Sequence, residues 1–237
     1  MAWFRQVHDD TDLAALTKAA GLQGPRPVLV LVGGASGLAD GEIDGLTDYL
    51  AAYVLPAVWH SDAAVVDGGT DAGVMRAVGR ARTREGVPFP LVGVIARGLL
   101  PDHPESVPPA DDQIVEPHHS HLVVVPGESW GDEVPWLGRV ARVLADGRPT
   151  VTLLVNGGQI AYRDMRDSLQ NDRPVVVLSG SGRAADDVAA AAENAPHASK
   201  EARELASSPL TLVVRSADGH RLREVLTSLL GGAMIEP

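Results

Sequence analysis

Three glycine-rich turns are the parts of this chain best suited to chemistry. They are Gly33-Gly34-Ala35-Ser36-Gly37, Gly68-Gly69-Thr70-Asp71-Ala72-Gly73-Val74-Met75 and Gly180-Ser181-Gly182-Arg183-Ala184-Ala185. Each follows a β-branched apolar run and precedes a stretch with helical character. Glycine lets the backbone turn sharply and approach a ligand closely. The helix that follows presents unsatisfied N–H groups and the positive end of its dipole, and phosphate is the natural occupant. A tight strand-to-helix turn with no ligand has the same composition, so each turn alone leaves both readings open. The third turn fits the G-x-G-x-x-G/A dinucleotide pattern. An acidic residue should end the next strand about 20 residues on, but that region here is Ala/Ser/Lys-rich and helical. A nicotinamide-dependent dehydrogenase is therefore not indicated.

Other side chains offer weaker chemistry. Arg183 stands at a helix start, where a cation opposes the dipole. It either meets an anion or pairs with Asp186 or Asp187. His118, His119 and His121 invite a metal reading, and in a strand His119 and His121 would share a face. No third ligand with evident spacing accompanies them, so a polar strand entry accounts for them and no metal is expected. Glu128, Asp132 and Glu133 form either an acid–base group at the sheet edge or a solvated acidic loop. No G-x-S-x-G elbow and no Walker A sequence occurs, which disfavours serine nucleophiles and P-loop hydrolysis.

The elements that must hold these turns are legible as a recurring phrase. Apolar runs at Pro27–Val32, Ala63–Val66, Leu91–Ile95, His121–Val125, Thr150–Val155, Pro174–Leu178 and Leu210–Val214 alternate with helical stretches. The expected fold is an α/β, Rossmann-like, open and mostly parallel sheet of about seven strands with helices on both faces. The runs are apolar throughout rather than alternating, as strands covered on both faces require. Residues 1–26 read as a lead-in with one amphipathic helix near Asp12–Ala20, and 27–237 as the domain. Leu100–Pro117 reads as a long surface loop.

Composition bounds the rest. Among 237 residues, 45% are hydrophobic but only 4% aromatic, so the core must be aliphatic. Cysteine is absent, which removes disulfides, thiolate metal sites and cysteine nucleophiles. No apolar run has the length of a membrane span or a signal peptide, and a cytoplasmic setting is expected. A net charge of -11 argues against nucleic acid as a partner.

The order of the turns resembles a known superfamily. Val65-Val66-Asp67-Gly68-Gly69-Thr70-Asp71-Ala72-Gly73-Val74-Met75 and Val92-Gly93-Val94-Ile95-Ala96 resemble segments in the N-terminal homology region of melastatin-type TRP channels. His118-His119-Ser120-His121 resembles that region's Asn-His-Ser-His. Pro174-Val175-Val176-Val177 with Gly180-Ser181-Gly182-Arg183-Ala184-Ala185-Asp186 resembles a further segment. The match spans about 27–190 and points to the SLOG (LSDAT) superfamily, which includes the LOG phosphoribohydrolases and DprA/Smf proteins. The resemblance implies a small-molecule nucleotide ligand, ADP-ribose, NAD or a relative, and no other cofactor. It places that ligand on the turns Gly33–Gly37, Gly68–Met75, Pro126-Gly127-Glu128 and Gly180–Arg183. LOG enzymes carry Pro-Gly-Gly-x-Gly-Thr-x-x-Glu where this chain has Pro126-Gly127-Glu128-Ser129-Trp130-Gly131-Asp132-Glu133. These departures favour binding or sensing over N-glycoside hydrolysis, in which Glu128 or Glu133 would stabilise the developing ribosyl cation. Homo-oligomerisation and a separate effector protein are compatible with the sequence.

Overall fold

The computed structural model describes residues 3–8, 10–22, 24–34, 38–100 and 114–232. Ala35, Ser36 and Gly37, and most of the loop expected at Leu100–Pro117, lie outside them.

Every apolar run becomes a strand: β2 (Val28–Gly33), β3 (Ala64–Asp67), β4 (Leu91–Ala96), β5 (His121–Val125), β6 (Thr150–Val155), β7 (Val175–Ser179) and β8 (Thr211–Arg215). The lead-in holds its helix, α1 (Asp10–Ala19), and also a strand, β1 (Trp3–Gln6). This strand pairs with β5 and makes the sheet eight-stranded, β1-β5-β4-β3-β2-β6-β7-β8, with parallel pairing throughout. The edge strand escaped the sequence reading because four residues at an edge carry no continuous apolar signal.

The side chains of β2 show why the strands are apolar at every position. Val28, Val30 and Val32 face a core shared with α5 (Val134–Ala145), α6 (Gln159–Gln170) and α7 (Arg183–Ala192). Leu29 and Leu31 face the opposite core, built with α2 (Asp40–Tyr49), α3 (Leu55–His60), α4 (Gly73–Glu85) and α9 (Gly219–Leu230). Alternation still operates, but both faces are buried. A π-helical stretch, Leu50–Val54, joins α2 to α3. Pro56 follows it and lacks the N–H that a regular α-helical register would need.

From β2 the chain steps outward through β3, β4 and β5, then returns across β2 to place β6 on its other side. The strand order therefore reverses between β2 and β6. In open α/β sheets the connecting helices diverge at such a point and leave a crevice at the carboxyl ends of the strands.

Candidate functional site

A crevice of about 580 Å³ opens at that reversal, within the range of small-molecule sites. Its floor is the end of β2, Leu31 to Gly34. One wall is the turn after β3 and the start of α4, with Gly68, Thr70, Ala72 and Met75. The other wall is the start of α6, with Gly158 to Ala161 and Asp164. Trp130, Glu133 and Leu137 close one side, and Arg183 borders another. A larger cleft of about 830 Å³ lies among Thr17, Lys18, Gly24, Arg142 and Asp146. It sits away from the carboxyl ends of the strands.

Close approach explains several glycines. A Cβ on Gly33 would collide with the Val155 carbonyl oxygen and stand 2.6 Å from Val74 Cγ2, so β6 and α4 leave no room for a side chain there. Gly69 has φ +66 and packs back to back with Gly93, whose Cβ would lie 2.6 Å from the Gly69 Cα. At Gly158 a Cβ would lie 3.0 Å from an Arg183 guanidinium nitrogen, so that side chain lies over the start of α6.

Side-chain capping varies among the helix starts, and α2 and α3, away from the crevice, also lack a side-chain cap. Ser199 caps α8 (Lys200–Ala206) and Asp218 caps α9 with their side chains. Ala72, Gly158 and Gly182, which precede α4, α6 and α7, make no side-chain cap. The N–H groups at these ends need other partners. At α7 the protein provides them: Ala184 N donates to the Gly157 oxygen at 3.2 Å and Ala185 N to the Asn156 oxygen at 2.9 Å. Gly180 N donates to Asp186 Oδ1 at 2.6 Å. Asn156 N donates to Ser181 Oγ at 2.8 Å, and Asn156 Nδ2 to the Ser181 oxygen at 2.9 Å. The Gly180–Arg183 turn is thus largely engaged with the turn after β6, and Arg183 is its member at the crevice wall.

A family model described as "SLOG in TRPM, prokaryote" matches residues 26–223. The chain belongs to this SLOG family. A channel-family protein of Nematostella vectensis, transient receptor potential cation channel subfamily M member-like 2, is 25% identical over 223 residues. That alignment covers 77% of this chain and 14% of the length of the relative. Among the described residues no helix is long and apolar enough to cross a membrane.

Within this SLOG fold the expected residues separate by position. Gly33, Gly34, Gly68, Thr70, Met75, Glu133 and Arg183 line the crevice. Gly69 and Val74 act beneath it: Val74 is fully buried and its N–H reaches the Gly34 oxygen at 3.3 Å. Gly73 has φ +49 and starts α4. Pro126 and Gly127 lie off the crevice; the Gly127 oxygen accepts from Gly98 N at 2.8 Å. Glu128 lies beside Gly98, and its backbone N–H donates to Asp132 Oδ2 at 2.9 Å. Glu133 instead turns inward, where Gly131 N donates to its Oε2 at 2.8 Å and burial raises its proton affinity.

The histidine motif has a structural task. His119 lies before β5, not within it, so it shares no strand face with His121. Its Nε2 donates to Asp67 Oδ1 at 2.7 Å and its Nδ1 to Glu116 Oε2 at 2.7 Å. Burial alone would lower its pKa, but the two carboxylates outweigh burial and push it up to about 10. The ring is an imidazolium clamp. Glu116 Oε1 takes His118 Nδ1, and Asp67 Oδ1 also accepts Gly69 N at 2.8 Å. Thr70 pairs with Val115, and Glu116 N donates to the Gly69 oxygen at 3.0 Å. Segment 114–119 thereby straps the Gly68–Thr70 turn in place. Glu116 and Asp164 were missed in the sequence because neither sits at a strand end with a recognisable spacing.

Proposed function

We propose that this SLOG domain binds a phosphorylated nucleotide of the ADP-ribose or NAD type in the crevice and acts as a ligand-binding or sensing domain. The observation that carries this reading is the meeting of two helix starts without side-chain caps, α4 and α6, on either side of the Gly33-Gly34 turn. Their N–H groups and dipoles favour an anion, and the Arg183 guanidinium beside Gly158 suits a phosphate. Trp130, half-exposed at the rim, offers an aromatic face to a base. A cytoplasmic setting and a separate effector that reads the loaded state complete the proposal.

Isothermal titration of the full chain with AMP, ADP, ADP-ribose and NAD tests it. Binding of at least one is expected; no heat from any of them at millimolar concentration overturns it. Glu133 on the crevice wall favours a second reading, hydrolysis of an N-glycosidic bond with Glu133 stabilising the developing ribosyl cation. Release of free base from nucleoside monophosphates or NAD, lost in Glu133→Gln, would establish it. A complete lack of free base with bound ligand rejects it and leaves binding.

A further inference from the structure

Asp164 stands on the second turn of α6, at the crevice wall beside Glu133. It is 8% exposed, and its Oδ1 is buried with no hydrogen-bond partner. Leaving such an atom unpaired is costly, and a buried polar group without a partner calls for an explanation. Among the described residues Asp67 Oδ2 is also buried without a partner, but its Oδ1 accepts from His119 and Gly69 away from the crevice wall, and Glu116 has both carboxylate oxygens engaged by histidines.

We infer that Asp164 and Glu133 form a hydroxyl-recognising subsite that takes the vicinal diol of the ligand's ribose. This assignment rests on the nucleotide reading above. Phosphate carries only acceptors, and two carboxyl groups repel it, so it belongs at the far end, at Gly33-Gly34, the starts of α4 and α6, and Arg183. Asp164 lies about 9 Å along α6 from Gly158 at 1.5 Å per residue, a reach suited to a nucleotide rather than to free phosphate.

An amine would select two ionised carboxylates. Asp164 resists ionisation: burial first, then the negative charges of Glu133 and Asp167 against the opposing charge of Arg163, raise its pKa to about 8. The pair therefore presents both a donor and acceptors near neutral pH. A sugar hydroxyl, which donates and accepts, matches that set.

The test compares AMP with 2′,3′-dideoxy-AMP, and ADP-ribose with ADP, by titration calorimetry on the wild-type chain, Asp164→Asn and Asp164→Leu. The first comparison removes the adenosine diol and the second the terminal ribose. In the wild type, loss of one of these diols should weaken binding by about ten- to a hundredfold. Asp164→Leu should abolish that discrimination, and Asp164→Asn should retain part of it. Thermal melts of the variants should show intact folding, since Leu removes an unpaired buried oxygen. If nucleotides bind but neither diol matters, or if Asp164→Leu keeps the discrimination, this assignment is overturned and the nucleotide reading stands. If no nucleotide binds, both fall.

Discussion

His119 holds a positive charge inside the protein because a carboxylate meets each ring nitrogen. Removing one partner of a buried ion pair leaves uncompensated charge, typically a loss of 3–5 kcal/mol. His119→Gln should therefore lower stability by about 3 kcal/mol, measured by urea unfolding. The pH dependence has a definite sign. His119 is raised from 6.5 to about 10 in the fold. Its contribution is complete below pH 6.5 and is lost as pH rises towards 10. Wild-type stability should decline across that window, and His119→Gln should flatten the decline. Asp164, raised to about 8, acts in the same direction between its ordinary carboxylate range and pH 8. Asp164→Asn should remove that part of the slope and stabilise the protein at pH 8. Equal slopes in wild type and both variants would contradict these assignments.

At the scale of elements, two glycines should respond differently to an added methyl group. Gly33→Ala drives a Cβ into the Val155 carbonyl and the Val74 side chain, which belong to β6 and α4. Neither can move without displacing a core element, so a loss of about 1–3 kcal/mol is expected, with ligand binding impaired as well. Gly158→Ala meets only the far end of the Arg183 side chain. Stability should change little while affinity falls, because the guanidinium is displaced from the start of α6. A thermal melt and a titration on each variant separate the two outcomes. Arg183 itself has φ +49, a conformation that costs a non-glycine residue about 1 kcal/mol or more. Arg183→Gly should therefore keep or raise the melting temperature while weakening nucleotide binding. A fall in melting temperature without loss of binding would assign Arg183 to the fold rather than the site.

At the scale of the whole molecule, a ligand that spans α4, α6 and β2 joins both halves of the sheet. It should stabilise the entire domain by mass action, about 2.7 kcal/mol at a hundredfold excess over Kd. A concentration-dependent rise in melting temperature with ADP-ribose or NAD would report this, and Arg183→Gly should blunt it.

The seven principal strands, their parallel sense and the turns at their carboxyl ends are written in the chain's local pattern. Those properties are local: an unbroken β-branched run, then glycine, then a helical stretch, repeated along the chain. The sequence also carried the family resemblance, because order along the chain is itself sequence. Which turns meet is a matter of packing. Strand order is set by packing between distant segments, so the crevice between β2 and β6 follows from the reversal in the sheet. Tertiary structure also separated Glu133, on the crevice wall, from Glu128, which lies beside Gly98. It turned His119 from an expected polar strand entry into a buried clamp, because Asp67 stands 52 positions away along the chain. The unpaired Asp164 was invisible for the same reason: burial and the absence of a partner are properties of neighbours in space, which no local pattern encodes.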